Sequence, residues 1–154
     1  MANRTPLYEK HVSMGAKMSE FAGWDMPILY SGIIEEHNAT RNSFSIFDIG
    51  HMGQIETKSL DAIQNLATND ATNISEGDAQ YSLICDDSGG IIDDVLVYRL
   101  PDRYLIIANA VNSEIVFRKF CAVDAGSKLL YDLNAALAIQ GPKSLTIIQK
   151  YIDF

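Results

Sequence analysis

The sequence predicts an α+β fold in which antiparallel sheets carry short packed helices. Three strand-like runs follow one another, Gln80 to Cys85, Gly90 to Leu100 and Arg103 to Ala108, all rich in Val, Ile, Leu and Tyr. They are separated by Asp-Asp-Ser-Gly and Pro-Asp turns, too short for a parallel crossover, so an antiparallel meander results. Capped segments of helical period lie before and after this meander. Ser59 precedes Leu60, Ile63 and Leu66, and Asn112 or Ser113 precedes Ile115, Val116 and Phe120. An apolar content of 47% with 21% charged residues belongs to a globular chain able to bury a core.

Taken in order, Thr5-Pro6 opens a short helix as N-cap and first helical residue, and Gly15 stops it. Lys17 to Tyr30 is extended, and Gly23-Trp24 and Pro27 break it into a bent strand or a short hairpin. A helix runs from Ser31 or Gly32 to Asn42, with Ile33, Ile34 and His37 on one side, and Ser43 to Asp48 is a strand. Gly50-His51-Met52-Gly53 is a bend, and Gln54 to Lys58 a strand. The Ser59 helix ends at Thr68-Asn69-Asp70, and a loop turning at Glu76-Gly77-Asp78 leads into the meander. Gly126 closes the helix after Asn112. Lys128 to Leu133 and Ala136 to Ile139 are strands. Gly141-Pro142 begins a last helix with Leu145, Ile148, Tyr151 and Ile152 on one face, its apolar stripe still running at Phe154.

Two carboxylates interrupt the central strand. Period-two alternation puts Asp94 with Ile92, Leu96 and Tyr98, and Asp93 with Ile91, Val95 and Val97. One of the two therefore faces an apolar cleft, where an acid is a candidate for acid/base or electrostatic work. The competing reading makes Asp93 a cap of the preceding turn. Tyr81, Asp94, Tyr98 and Asn109 lie on three neighbouring strands and form a wall suited to a flat heteroaromatic ligand. Ordinary core and strand-end roles remain the alternative.

Other chemistry finds little support. His11, His37 and His51 have no metal-ligand spacing with one another or with a cysteine, and read as helix-surface or bend residues. No phosphate-binding glycine loop and no G-x-S-x-G context occurs. A net charge of −8 without a basic cluster argues against nucleic acid as partner. No apolar run reaches the roughly 20 residues of a membrane span, and Met1 to Pro6 has no signal-peptide core. Cys85 and Cys121 lack a C-x-x-C context and suggest free thiols in a reducing compartment, with the cytoplasm as default.

Ten stretches then fall in a familiar order: R-T-P-L-Y-E-K-H, G-A-K-M, F-A-G-W-D-M-P, E-E-H, F-D-I-G-H-M-G, T-N-D, Y-S-L, G-G-I-I-D-D-V-L-V-Y, N-A-V-N and I-Q-G-P. From about Arg4 to Lys150 the chain resembles the N-terminal part of the glycine cleavage system T protein, a tetrahydrofolate-dependent aminomethyltransferase. The resemblance implies transfer of a one-carbon unit from an aminomethyl-lipoyl arm, carried by the H protein, to tetrahydrofolate with release of ammonia. It places Asp94 at the reacting nitrogens of the folate, and Met52, Tyr81, Tyr98 and Asn109 in the folate pocket, with His51, Val97 and Arg99 as lesser candidates. It also implies that residues 1–53 with 136–154 belong to a first domain and 54–135 to an inserted second one.

This chain departs from the family in two ways. Gly50 stands where the family usually has Ser, which implies a looser bend beside Met52. Family members are more than twice as long, so the resemblance implies a truncated or split form whose C-terminal portion is absent. It further implies a complementing C-terminal polypeptide or self-association. The alternatives are a non-catalytic folate-binding or interaction module, and a related folate-dependent demethylase or tRNA-modification protein.

Overall fold

The computed structural model describes residues 2–131 and 134–152. It is an α+β structure, with every strand pairing antiparallel except one short parallel pair. The chain divides into two compact units, Met1–His51 with Asn134–Phe154, and Met52–Leu133.

In the first unit, β1 (Asn3–Arg4) leads to α1 (Tyr8–Ser13), and the hairpin β2 (Lys17–Phe21) and β3 (Trp24–Leu29) follows. β1 pairs parallel to β3, an element too short to announce itself in the sequence. Thr5 does not cap α1: Leu7 holds that position without a side-chain bond, and the Thr5 hydroxyl donates to Asp48 Oδ2 at 2.5 Å. Gly15 ends the helix with φ of 78°. α2 (Ile33–Asn42) starts on Gly32, and Glu36 Oε1 reaches back to accept from the backbone N–H groups of Tyr30, Ser31 and Gly32. That carboxylate satisfies donors that the helix start leaves open. Ile33 and Ile34 are 68% and 78% exposed, so the apolar side of this helix is not covered. β4 (Ser45–Asp48) closes the first stretch.

The second unit is built on a five-stranded sheet. β5 (Gly53–Thr57) is followed by α3 (Leu60–Leu66), whose Ser59 side chain accepts from Ala62 N as its capping role requires. A single 3₁₀ turn at Ala71–Asn73 packs Ala71 into the core. The expected meander is present as β6 (Ala79–Cys85), β7 (Ile91–Arg99) and β8 (Tyr104–Ala108). α4 (Ser113–Val123) and β9 (Lys128–Leu129) complete the unit, with strand order β6-β7-β8-β5-β9. Ile55, Ile84, Val95, Val97 and Ile106 on one sheet face are buried against Ile63 of α3 and Val116 and Phe120 of α4. The opposite face carries the alternate residues. A helix covers only one face of such a sheet, which is why β7 alternates buried and exposed.

The last strand of the second unit is shorter than expected: pairing stops at Leu129, with Leu130 N donating to Gln54 O, and residues 132 and 133 lie outside the described set. β10 (Leu137–Gln140) returns to the first unit and pairs with β4. α5 (Ser144–Ile148) is five residues long rather than a helix running to the end, and positions 153 and 154 are not among the described residues. Gly141, at the turn into α5, has φ of 118°. A Cβ there would stand 2.5 and 2.6 Å from the Ser43 and Thr40 carbonyl oxygens. Gly141→Ala is therefore expected to destabilise the chain by roughly 1–3 kcal/mol, because both the backbone angle and the contact oppose it. Urea unfolding of the variant with an unchanged midpoint would refute this.

Candidate functional site

The site begins with the two acids of β7, and a single extra residue decides their fates. Ile84 pairs with Asp93 but Cys85 pairs with Ile91, so β7 carries a bulge at Ile92. Alternation is broken there: Ile91 is 66% exposed and leaves the face it would otherwise share with Asp93. From Asp93 onward the alternation is regular, with Asp93, Val95 and Val97 buried and Asp94 and Leu96 exposed.

Asp93 is the buried acid, 3% exposed, and it does not cap the preceding turn. That role belongs to Asp86, whose Oδ1 accepts from the backbone of Ser88 and Gly90. Asp93 instead meets the end of β8. Its Oδ2 accepts from Asn109 N at 2.9 Å, and its Oδ1 from Asn109 Nδ2 at 3.0 Å and Asn112 Nδ2 at 2.8 Å. Three donors compensate the cost of burying the carboxylate. Asn112 gives its amide to Asp93 and makes no side-chain cap on α4.

Asp94 is exposed on the other sheet face. Leu96 opposes Ile107, so continuing the register sets Asp94 opposite Asn109, whose Nδ2 donates to Asp94 Oδ1 at 2.9 Å and Asp94 O at 3.2 Å. Tyr81 opposes Leu96 on β6 and is the diagonal neighbour of Asp94 on this face, where the carboxylate acts on its phenol. Its pKa is raised, first by desolvation and then by the charge and hydrogen bond of Asp94, so the phenol keeps its proton and serves as a donor. Met52 lies one step before Gly53, which opposes Ala108, and the register sets it opposite Asn109. Tyr98 shares the face but sits four residues along β7 from Asp94, roughly 13 Å away. The structure thus gathers Tyr81, Asp94 and Asn109 into one cluster with Met52 at its edge, and places Tyr98 farther along the same wall.

The lesser candidates have other partners. Val97 is buried in the core, and Arg99 donates to the Ile74 carbonyl at 2.9 Å. His51 belongs to the other unit, where its ring meets Phe21 edge-on at 5.7 Å and its buried Nδ1 has no hydrogen-bond partner. Burial lowers its pKa and Asp48 partly opposes that. Gly50 is held rather than loose: its N–H donates to Asp48 Oδ1 at 2.8 Å, and a Cβ would stand 3.0 Å from that oxygen. Among the described residues no cluster of His, Cys, Asp and Glu could hold a metal ion, and both cysteines are free.

Two features are absent from the sequence reading. Gln54, on the same sheet face as Asp94, is 3% exposed and its Nε2 has no partner. A polar residue in a strand of alternating pattern gives no signal of such burial. His11 is no surface histidine. It is 7% exposed, its Nε2 meets Asp48 Oδ2 at 2.8 Å and its Nδ1 meets the Tyr30 hydroxyl at 2.7 Å. Tyr30 and Asp48 line a cavity of about 500 Å³ with Met26, Ile28, Ile46 and Phe47, all within the first unit.

Comparison with known proteins places these residues in context. A family model described as the GCVT N-terminal domain matches residues 7–154. A protein of Staphylococcus saprophyticus named aminomethyltransferase is 42% identical over 97% of this chain and 44% of its own length. One of Thermotoga maritima with the same name is 42% identical over 97% of this chain and 43% of its own. The crystal structure of the glycine cleavage system aminomethyltransferase T from Bartonella henselae superposes with a TM-score of 0.85 at 32% identity. It too is matched over 97% of this chain and 44% of its own. This chain spans less than half the length of the relatives it matches.

Proposed function

Because the chain belongs to the GCVT N-terminal domain family, we propose that it forms the Asp94-bearing part of a tetrahydrofolate-dependent aminomethyltransferase of the glycine cleavage system. The observation that carries this reading is the exposed Asp94 carboxylate, hydrogen-bonded by Asn109 with Tyr81 close by, on a sheet face that also presents Leu96 and Tyr98. Tetrahydrofolate is the acceptor, and the H protein presents the aminomethyl group on its lipoyl arm. The fit is chemical. Leu96 offers apolar contact next to the Asp94 carboxylate, which can meet the ring and bridge nitrogens of a heteroaromatic ligand, and Tyr98 extends the apolar wall farther along the strand.

Asp94 hydrogen-bonds the acceptor amine, takes or steadies its proton, and stabilises the positive charge that develops on the transferred unit. Tyr81 and Asn109 fix the carboxylate so that little reorganisation is needed when that charge appears. Met52 covers the edge beside Asn109. The relatives named aminomethyltransferase support this assignment, and their greater length supports further polypeptide, in the same chain or a second one, as the rest of the pocket wall. The two compact units support an inserted second domain, 54–135, between two parts of a first, 1–53 with 136–154. Among the described residues no helix is long and apolar enough to cross a membrane, which is compatible with a cytoplasmic place of work.

Calorimetric titration of the purified chain with tetrahydrofolate tests this reading. The expected result is saturable heat with Kd of about 1–10 μM, which is about −7 to −8 kcal/mol of binding free energy. A flat titration at millimolar folate would overturn it for these residues.

A further inference from the structure

We infer that Asp93 is a positioning residue for Asp94, acting through Asn109. The inference rests on the folate reading of the Asp94 face and concerns what gives that face its geometry. One carboxylate grips Asn109 twice, at its backbone N–H and at its side-chain amide, with distances of 2.9 and 3.0 Å. Such a two-point clamp leaves the Asn109 side chain one orientation. It also settles which end of the amide faces the acids. Asp93 Oδ1, Asp94 Oδ1 and Asp94 O all surround Nδ2 within 3.2 Å; an NH₂ group meets them with its two hydrogens, one shared between two oxygens, whereas the amide oxygen would face three acceptors with no donor.

The same nitrogen therefore bridges the two acids across the strand, from the core face to the exposed face. Neighbouring residues of a strand point to opposite sides, so Asp93 and Asp94 have no direct route to one another. Asn109 supplies it. Asn112 fixes Asp93 from the start of α4 at 2.8 Å, which anchors the bridge to the helix. The Asp94 carboxylate thus reaches its ligand already oriented, held by a group whose own position is set inside the core. A carboxylate left to rotate freely would lose part of its hydrogen-bond energy to ordering.

The competing account makes Asp93 only a structural tie between β7, β8 and α4. Asp93→Asn in this chain separates the two. The expected result is a folded protein in which the Asn109 side-chain amide and the Asp94 carboxyl carbon both shift in NMR spectra. Tetrahydrofolate binding should weaken roughly tenfold, the scale of one charge-assisted hydrogen bond. Unchanged Asn109 and Asp94 signals in a folded variant would overturn the proposal. If the wild-type chain shows no folate heat while those signals still shift in the variant, the positioning stands and the folate reading falls.

The double variant Asp93→Asn with Asn109→Asp adds a second discrimination. It restores a donor and acceptor pair between the two positions but turns a carboxylate toward Asp94. Recovery of stability, of binding and of the wild-type Asp94 carboxyl signal together means a structural tie alone and overturns the proposal. Should Asp93→Asn fail to fold, Asn112→Ala removes one of the three donors on Asp93. It must shift the same two signals by a smaller amount, and no shift there would overturn the proposal equally.

Discussion

On the proposed aminomethyltransferase reading, with the rest of the pocket wall supplied, Asp94→Asn is expected to slow transfer of the one-carbon unit to tetrahydrofolate by roughly 10²–10⁴-fold, the range for loss of a positioned acid/base or electrostatic group. Stability should hardly change. Asp94 is exposed, and its partners Asn109 and Tyr81 keep other contacts, Asn109 to Asp93 and Tyr81 to its strand neighbours. The amide is nearly the same size as the carboxylate but loses the charge. The Asn109 NH₂ would then face either a neutral oxygen or another NH₂. The measurement is transfer from aminomethylated H protein, with folate binding by calorimetry beside it. Binding weakened by less than transfer places Asp94 mainly in the chemical step, and equal losses place it in ground-state binding. Full transfer by the variant would remove Asp94 from the mechanism.

Much of this face was legible in the sequence because it depends on local pattern. Strand propensity, short turns and period-two alternation suffice to put Asp94 with Tyr98 and to set β6, β7 and β8 side by side. The bulge at Ile92 was not legible, since one extra residue leaves no mark in composition. The roles of Asp93 and Asn112 were hidden for a different reason. Both depend on a long-range pairing between β7 and the β8–α4 junction, which local spacing does not encode. Thr5 gave a misleading signal. Its place before Pro6 is that of an N-cap, yet a buried carboxylate 43 residues away is a stronger acceptor for its hydroxyl than a backbone amide is a donor to it. His11 was misread likewise, because a helix histidine finds its partners only when the chain has folded.

The Asp48 network yields the larger stability prediction. Asp48 Oδ2 accepts from Thr5 and His11, and Oδ1 from the Gly50 N–H, so α1, the end of β4 and the following bend meet on one carboxylate. A carboxylate only accepts, so His11 Nε2 carries the proton, and in the neutral ring Nδ1 accepts from the Tyr30 hydroxyl. Tyr30 keeps its proton: burial raises its pKa, and the charges of Asp48 and Glu36 add to that.

Asp48 itself is pulled both ways. Burial pushes its pKa up, but the bonds from His11, Thr5 and Gly50 outweigh this and hold it below the ordinary 3.8. The paired state is therefore worth more than the desolvation it entails. Asp48→Ala would leave those donors without an acceptor in a buried site, and a loss of roughly 3–5 kcal/mol is expected. The sign with pH follows from the lowered pKa. The contribution is complete above the unfolded value and is lost as pH falls through the folded one. Urea unfolding should show a large gap between wild type and variant at pH 7, narrowing as pH falls below the ordinary carboxylate value of 3.8 and through the lowered folded one. A gap that stays constant down to pH 2 would mean that the charge contributes nothing and that the side chain acts by packing alone.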